Sequence, residues 1–209
     1  MHGLFFYIGL GAGLAAACGL RPFLPVLLAG ALGSAKALGV SFSHGSFHFL
    51  QSGWWLAAAA VALVLAYAAQ LLTALPPVAD PRRARGQRGD LLSASLTGLS
   101  FSAGAALFGG SLAAHGDFIW PGLLGGFAIV GLAQRATAPV ILRARARLSD
   151  RASREALTLY LDAVALLLAA LVCLLHPLGY VLVAALAWFA WRGRDRGDEK
   201  YAGLRILRR

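Results

Sequence analysis

The chain alternates long apolar runs with short polar or arginine-rich breaks. Apolar runs cover residues 3–39, 53–75, 91–114, 118–142, 155–175 and 177–191. Most lie near the ~20 residues that a helix needs to cross the hydrocarbon of a bilayer, so the pattern predicts six crossings. Arginine-rich segments follow the second, fourth and sixth runs: RRARGQR at 82–88, RARARLSDRASR at 143–154, and the tail from Arg192. The breaks at 40–52, at 115–117 and near His176 contain no Lys or Arg. Positive charge is retained on the cytoplasmic side, which predicts cytoplasmic N and C termini.

The first run is too long for one straight span, because 37 residues of continuous helix would reach about 55 Å. It must break, tilt or fold back. Gly19 and Pro22 flank Arg21, and proline both removes a backbone donor and suits the first turn of a new helix, so the interruption is expected there. The fourth run carries a weaker version, with Gly131 before Arg135 and Pro139 after it.

These two places share a pattern. Residues 21–28 read RPFLPVLL and residues 135–142 read RATAPVIL, and aligning them superposes Arg21 on Arg135 and Gly11 on Gly125. The expected fold is therefore all-α and polytopic: about six transmembrane helices in two inverted three-helix repeats, with the first and fourth elements interrupted. Residues 1–114 form the first repeat, 115–192 the second, and 193–209 a basic cytoplasmic tail. Inverted repeats of this kind are common in secondary transporters.

Composition supports the membrane assignment. With 59% hydrophobic and 13% charged residues and a mean hydropathy of +0.70, the chain is too apolar for a soluble domain. The net charge of +10 does not indicate nucleic acid, because the arginines sit in three short blocks instead of forming one basic face. The preference for arginine over lysine is read as the codon bias of a GC-rich bacterial genome, which places the protein in a bacterial inner membrane. Cys18 and Cys173 lie inside apolar runs without paired spacing, so neither a disulfide framework nor a metal knuckle is expected. LAAAC at 14–18 loosely matches a lipoprotein box, but no basic residue precedes it and cleavage is not expected.

The stretch GLAAACGLRPFLPVLLAGAL, a Trp-led second run ending in LPPVAD, and the later GLAQRATAPV before a basic loop together resemble a bacterial membrane family, domain of unknown function 4126. The resemblance spans nearly the whole chain and brings no activity with it. It implies an acidic residue late in the second run. Gln70 and Tyr67 occupy that region here.

Candidate chemistry centres on Arg21 and Arg135, because a charge inside hydrocarbon costs a few kcal/mol and is usually paired or lining a cavity. Asp162 is the carboxylate deepest in an apolar run, about seven residues or ~10 Å in from the cytoplasmic end of the fifth, level with Arg135. Pairing of Arg135 with Asp162 is expected. In a structural reading this pair fixes helix register and Arg21 caps carbonyls freed by the break. In a functional reading, the N-terminal amides of the helix starting at Pro22 join Arg21 to receive a carboxylate, a phosphate or a lipid headgroup, and Asp162 couples a proton. The candidate substrate-binding set is Arg21, Arg135, Asp162, Pro22, Gly19, Gln70 and Tyr67.

Other features are weaker. Ser93, Thr97, Ser100 and Gly104 share a helical face that either permits close packing or lines a hydroxyl path beside Arg21. Gly9 with Gly13, and Gly122 with Gly126, suit tight packing inside the bundle or at a homodimer seam. His44, His48, His115 and His176 fall in the expected outer loops, where interfacial placement among aromatics outweighs metal binding. There is no phosphate-binding glycine loop with its lysine, no HExxH and no serine elbow, so an enzyme is not expected. The leading expectation is a small transporter or permease for an anionic solute or lipid headgroup, without cofactor, metal or nucleic acid. The alternative is a non-transporting scaffold or accessory subunit whose arginines are structural and whose basic tail holds a partner or anionic lipid.

Overall fold

The computed structural model describes residues 3–40, 42, 45–74, 81–116, 118–148 and 151–206, with backbone alone for 45–46, 70–74, 81–93, 145–146, 151, 154 and 194–206. Among the described residues the fold is all-α. The helices are α1 (Leu4–Leu20), α2 (Phe23–Ser34), α3 (Gly53–Ala74), α4 (Pro81–His115), α5 (Ile119–Arg147), α6 (Arg151–Leu174) and α7 (Leu178–Ile206), with a 3-10 turn at Gly45–Gln51 before α3.

Helix α1 is apolar on every face, and a helix of that kind must be buried on every face. Residues 9–19 are all buried, enclosed by α4, α5, α6 and α7. Close approach depends on glycine. The side of Gly9 that would carry a Cβ faces the His176 carbonyl at 2.6 Å, and that of Gly126 on α5 lies 2.7 Å from Ala105 Cα and the Gly104 carbonyl of α4. Both glycine pairs read from the sequence are thus used inside the bundle, with Gly13 against Val172 and Gly122 against Gly109.

Contacts along α1 set its direction. Near its start the Tyr7 carbonyl lies 3.1 Å from Ser111 Oγ at the end of α4, the Phe6 ring stacks on His176 at 3.5 Å between centroids, and the Tyr180 hydroxyl donates to the Phe5 carbonyl at 2.8 Å. Near its end Gly19 meets Val130 and Ala133 of α5. The start of α1 therefore sits beside the α4–α5 and α6–α7 connections.

Helix α2 then runs back toward the same end. Gly30 faces Leu50 and Leu56, and Gly33 faces Phe42 and Gln51. Leu50 and Phe42 in turn lie over Gly110, one turn from the end of α4. The first apolar run is thus a helical hairpin, with limbs of 17 and 12 residues that reach about 25 and 18 Å. Its tip is Arg21–Pro22.

The turn follows from the two prolines. Pro22 and Pro25 bring no amides, and the residue before a proline is pushed out of the α region. Arg21 accordingly adopts φ −149°, ψ 124°, while its own amide donates to the Ala17 carbonyl at 3.1 Å and closes α1.

One expectation needs correction. The fourth run is not interrupted, because α5 continues through Pro139 to Arg147. A single proline there deletes one donor, with no second proline three residues on to extend the gap. Helix α1 begins and helix α7 ends at opposite ends of the bundle. Helix α7 runs alongside α1 in the same direction, Gly179 against Gly9 and Leu186 in one cluster with Ala16, so α7 ends at the far end from Leu4.

By length and composition, Ala94–His115, Ile119–Ala144 and Glu155–Leu174 are long and apolar enough to cross a membrane, and Leu4–Leu20, Phe23–Ser34, Gly53–Ala69 and Leu178–Gly193 are shorter apolar helices. The outward faces are apolar too, with Leu124, Phe127, Leu167, Leu171, Val181 and Phe189 exposed. A surface of that kind is unsuited to water and fits association with a membrane.

Candidate binding site at the hairpin tip

The α1–α2 tip opens onto a cleft of about 150 Å³. Its described lining comes from five places: residues 19–24 of the tip, Leu63, Ala66 and Tyr67 of α3, Leu96, Thr97 and Ser100 of α4, Gln134 of α5 and Asp162 of α6. Thr97 is exposed and Ser100 is buried, so the cleft leads from the surface inward along α4.

An ion pair closes its deep end. Arg21 Nε lies 2.7 Å from Asp162 Oδ1, with the two side chains 17% and 9% exposed. The partner of Asp162 is thus Arg21 and not Arg135. Arg135 is exposed, and it is its neighbour Gln134 that lines the cleft. Depth along a helix follows from sequence spacing, but successive residues differ by about 100° in direction, and here that rotation turns Arg135 outward.

The pair is incompletely satisfied. Arg21 Nη2 and Asp162 Oδ2 are both buried without a hydrogen-bond partner among the described residues. The start of α2 adds further donors. Pro22 offers no side-chain cap, so the first-turn amides of Phe23 and Leu24, both in the lining, present the positive end of the helix to the cleft. Asp162 lines the same cleft, its carboxylate paired with the guanidinium.

Of the candidate residues, Gly19, Arg21, Pro22, Tyr67 and Asp162 come together and Arg135 does not. The side chains of Gln70 and Ser93 lie outside the described residues. Thr97 and Ser100 take the hydroxyl-lined alternative of the serine and threonine stripe, while Gly104 packs against Ala15 and Val130. Gln134 was missed, although a polar residue beside Arg135 in an apolar run was a readable signal. Of the outer histidines, His44 lies outside the described residues, His48 is exposed, His115 packs its ring 5.2 Å from that of Tyr7, and His176 stacks on Phe6.

Residues 8–80, which hold most of α1, the tip, α2 and all of α3, match the family model described as domain of unknown function (DUF4126). This segment is similar to the DUF4126 family. The match covers the half of the cleft formed by the tip and α3, whereas the resemblance read from the sequence extended further. No curated protein and no solved structure matches the chain. The matched segment supplies Arg21 and Tyr67, and the remainder of the chain supplies Ser100, Gln134 and Asp162.

Proposed function

We propose that the protein is a small membrane permease in which α3 to α7 make five crossings and the α1–α2 hairpin dips in from one face to end at the transport site. The basic segments 82–88 and 143–154 and the tail from Arg192 all fall at one end of this arrangement, which is then cytoplasmic. The N terminus and the hairpin's two open ends face the other side, outside a bacterial inner membrane.

One observation carries the reading: a helix interrupted deep in the bundle, with a half-buried arginine and a buried carboxylate at the break, facing a cleft instead of a packed interior. Interrupted helices whose half-helix ends and charged side chains meet near mid-membrane are how carriers build solute sites in hydrocarbon. Tyr67, Thr97, Ser100 and Gln134 supply the additional hydrogen-bonding groups that a polar solute needs there.

The second reading is a scaffold, favoured by the ion pair tying the hairpin tip to α6. Thiol labelling separates the two. Cys18 and Cys173 are both fully buried, so a cysteine introduced at Ser100 reports on the cleft alone. A permease predicts reaction with a membrane-impermeant thiol reagent from each face in turn, in right-side-out and in inside-out vesicles. A Ser100→Cys protein that reacts from neither face sinks the permease reading.

A further inference from the structure

We infer that the cleft takes a small neutral molecule presenting a hydrogen-bond acceptor and a donor on one edge, as a primary amide does, and not a bare anion. This rests on the permease reading above and names its substrate class. A guanidinium offers Nε–H and one Nη2–H side by side along one edge, matched in spacing to the two oxygens of a carboxylate. The Arg21 edge uses Nε for Asp162 Oδ1 at 2.7 Å, and the second leg of that fork is not made. Nη2 and Oδ2 each remain buried and without a partner among the described residues.

The pair thus leaves one donor on the guanidinium and one acceptor on the carboxylate, in a side-chain pair of which Asp162 is more than nine-tenths buried. A buried polar group left unpaired is costly, so a ligand that satisfies both at once is favoured. An amide does so, its carbonyl accepting from Nη2 and its N–H donating to Oδ2. An oxyanion without protons satisfies Nη2 only and sets a second negative charge against the Asp162 carboxylate. The charge of Arg21 is already balanced, so nothing in the pair remains to neutralise an anion. Size agrees, since a cavity of about 150 Å³ has room for a six-carbon ring, and acetamide is smaller.

The test uses the full-length protein in proteoliposomes, with uptake of labelled acetamide and labelled sulfate measured against protein-free vesicles. Acetamide entry should rise at least severalfold with protein, and sulfate entry should not rise. Excess urea, which carries both donor and acceptor, should compete. Dimethylformamide, which accepts only, should fail to compete even at roughly hundredfold excess, because a site built around a donor rejects analogues that lack it. Arg21→Lys keeps the charge but loses the fork, and should remove most of the uptake; if that variant does not fold, the competition pattern on the unaltered protein decides. Protein-dependent sulfate entry, or equal competition by dimethylformamide, overturns the substrate class and leaves the permease standing. Absence of protein-dependent acetamide uptake in a protein whose Ser100→Cys thiol labels from both faces overturns the class alone; absence of both overturns the two readings together.

Discussion

Replacing Asp162 by Asn isolates what the ion pair contributes. The substitution keeps the side-chain volume and removes the charge that faces Arg21 at 2.7 Å. Arg21 is then a charge 17% exposed, inside an apolar bundle and without its carboxylate. Breaking a buried pair by removing one partner costs about 3–5 kcal/mol, and the residual access of Arg21 to the cleft points to the lower end, about 3 kcal/mol. Arg21→Gln should cost a similar amount by stranding Asp162. The double variant removes both charges, so its loss should fall short of the sum by at least about 1.5 kcal/mol. Reversible unfolding of the purified protein in mixed micelles gives the four stabilities of this cycle. Arg135→Gln serves as the internal control, since Arg135 is exposed and away from the cleft, and should change stability by less than about 0.5 kcal/mol. Additive losses for the Arg21 and Asp162 changes, or coupling of Asp162 with Arg135 in place of Arg21, would refute the pairing described above.

Three further outcomes follow from the backbone. Lys36 sits at φ 50° where α2 ends, with its amide on the Gly33 carbonyl and that of Ala37 on Leu32; glycine fits this left-handed cap without strain, so Lys36→Gly should stabilise by about 1 kcal/mol in the same unfolding assay. Gly126→Ala would press a methyl group onto α4 backbone 2.7 Å away and should cost about 2–3 kcal/mol, whereas Gly98→Ala on the same α4 meets nothing within 4 Å and should gain about 0.5–1 kcal/mol, so equal effects would argue against the α4–α5 crossing. Cysteines at Phe5 and Gln87 should label from opposite faces of the membrane in intact cells, and labelling from one face would restore an even number of crossings.

The interruption at Arg21–Pro22 was legible because proline chemistry is local: a missing amide and a restricted preceding residue act wherever the fold places them. Asp162 was legible as well, as a carboxylate isolated in an apolar run. Its partner was not. Spacing places Arg21, Arg135 and Asp162 at comparable depths, but the choice between Gln134 and Arg135 as the residue facing inward depends on how α5 is rotated, and an apolar run with glycines on several faces fixes no rotation. The direction of α2 was equally unreadable. Hydropathy measures how much apolar chain there is and carries no sign, so a 37-residue run reads alike as a tilted span or a hairpin. The octets at 21–28 and 135–142 show the limit of pattern matching: the first gains a second proline at position 22, and that one difference separates a chain reversal from a continuous helix.

The hairpin also constrains how the protein is made. Helix α1 is enclosed by α4, α5, α6 and α7, all synthesised after it, and the ion pair at its tip joins residues separated by more than half of the chain. As the first apolar run leaves the ribosome, the helices that will enclose it do not yet exist to accept the polar groups at Arg21–Pro22, and hydrocarbon will not. The reversal can become stable only once α6 delivers Asp162. A segment translated before the helices that enclose it is therefore among the last to reach its place, and a chain halted before α6 would lack the ion pair that holds the hairpin tip.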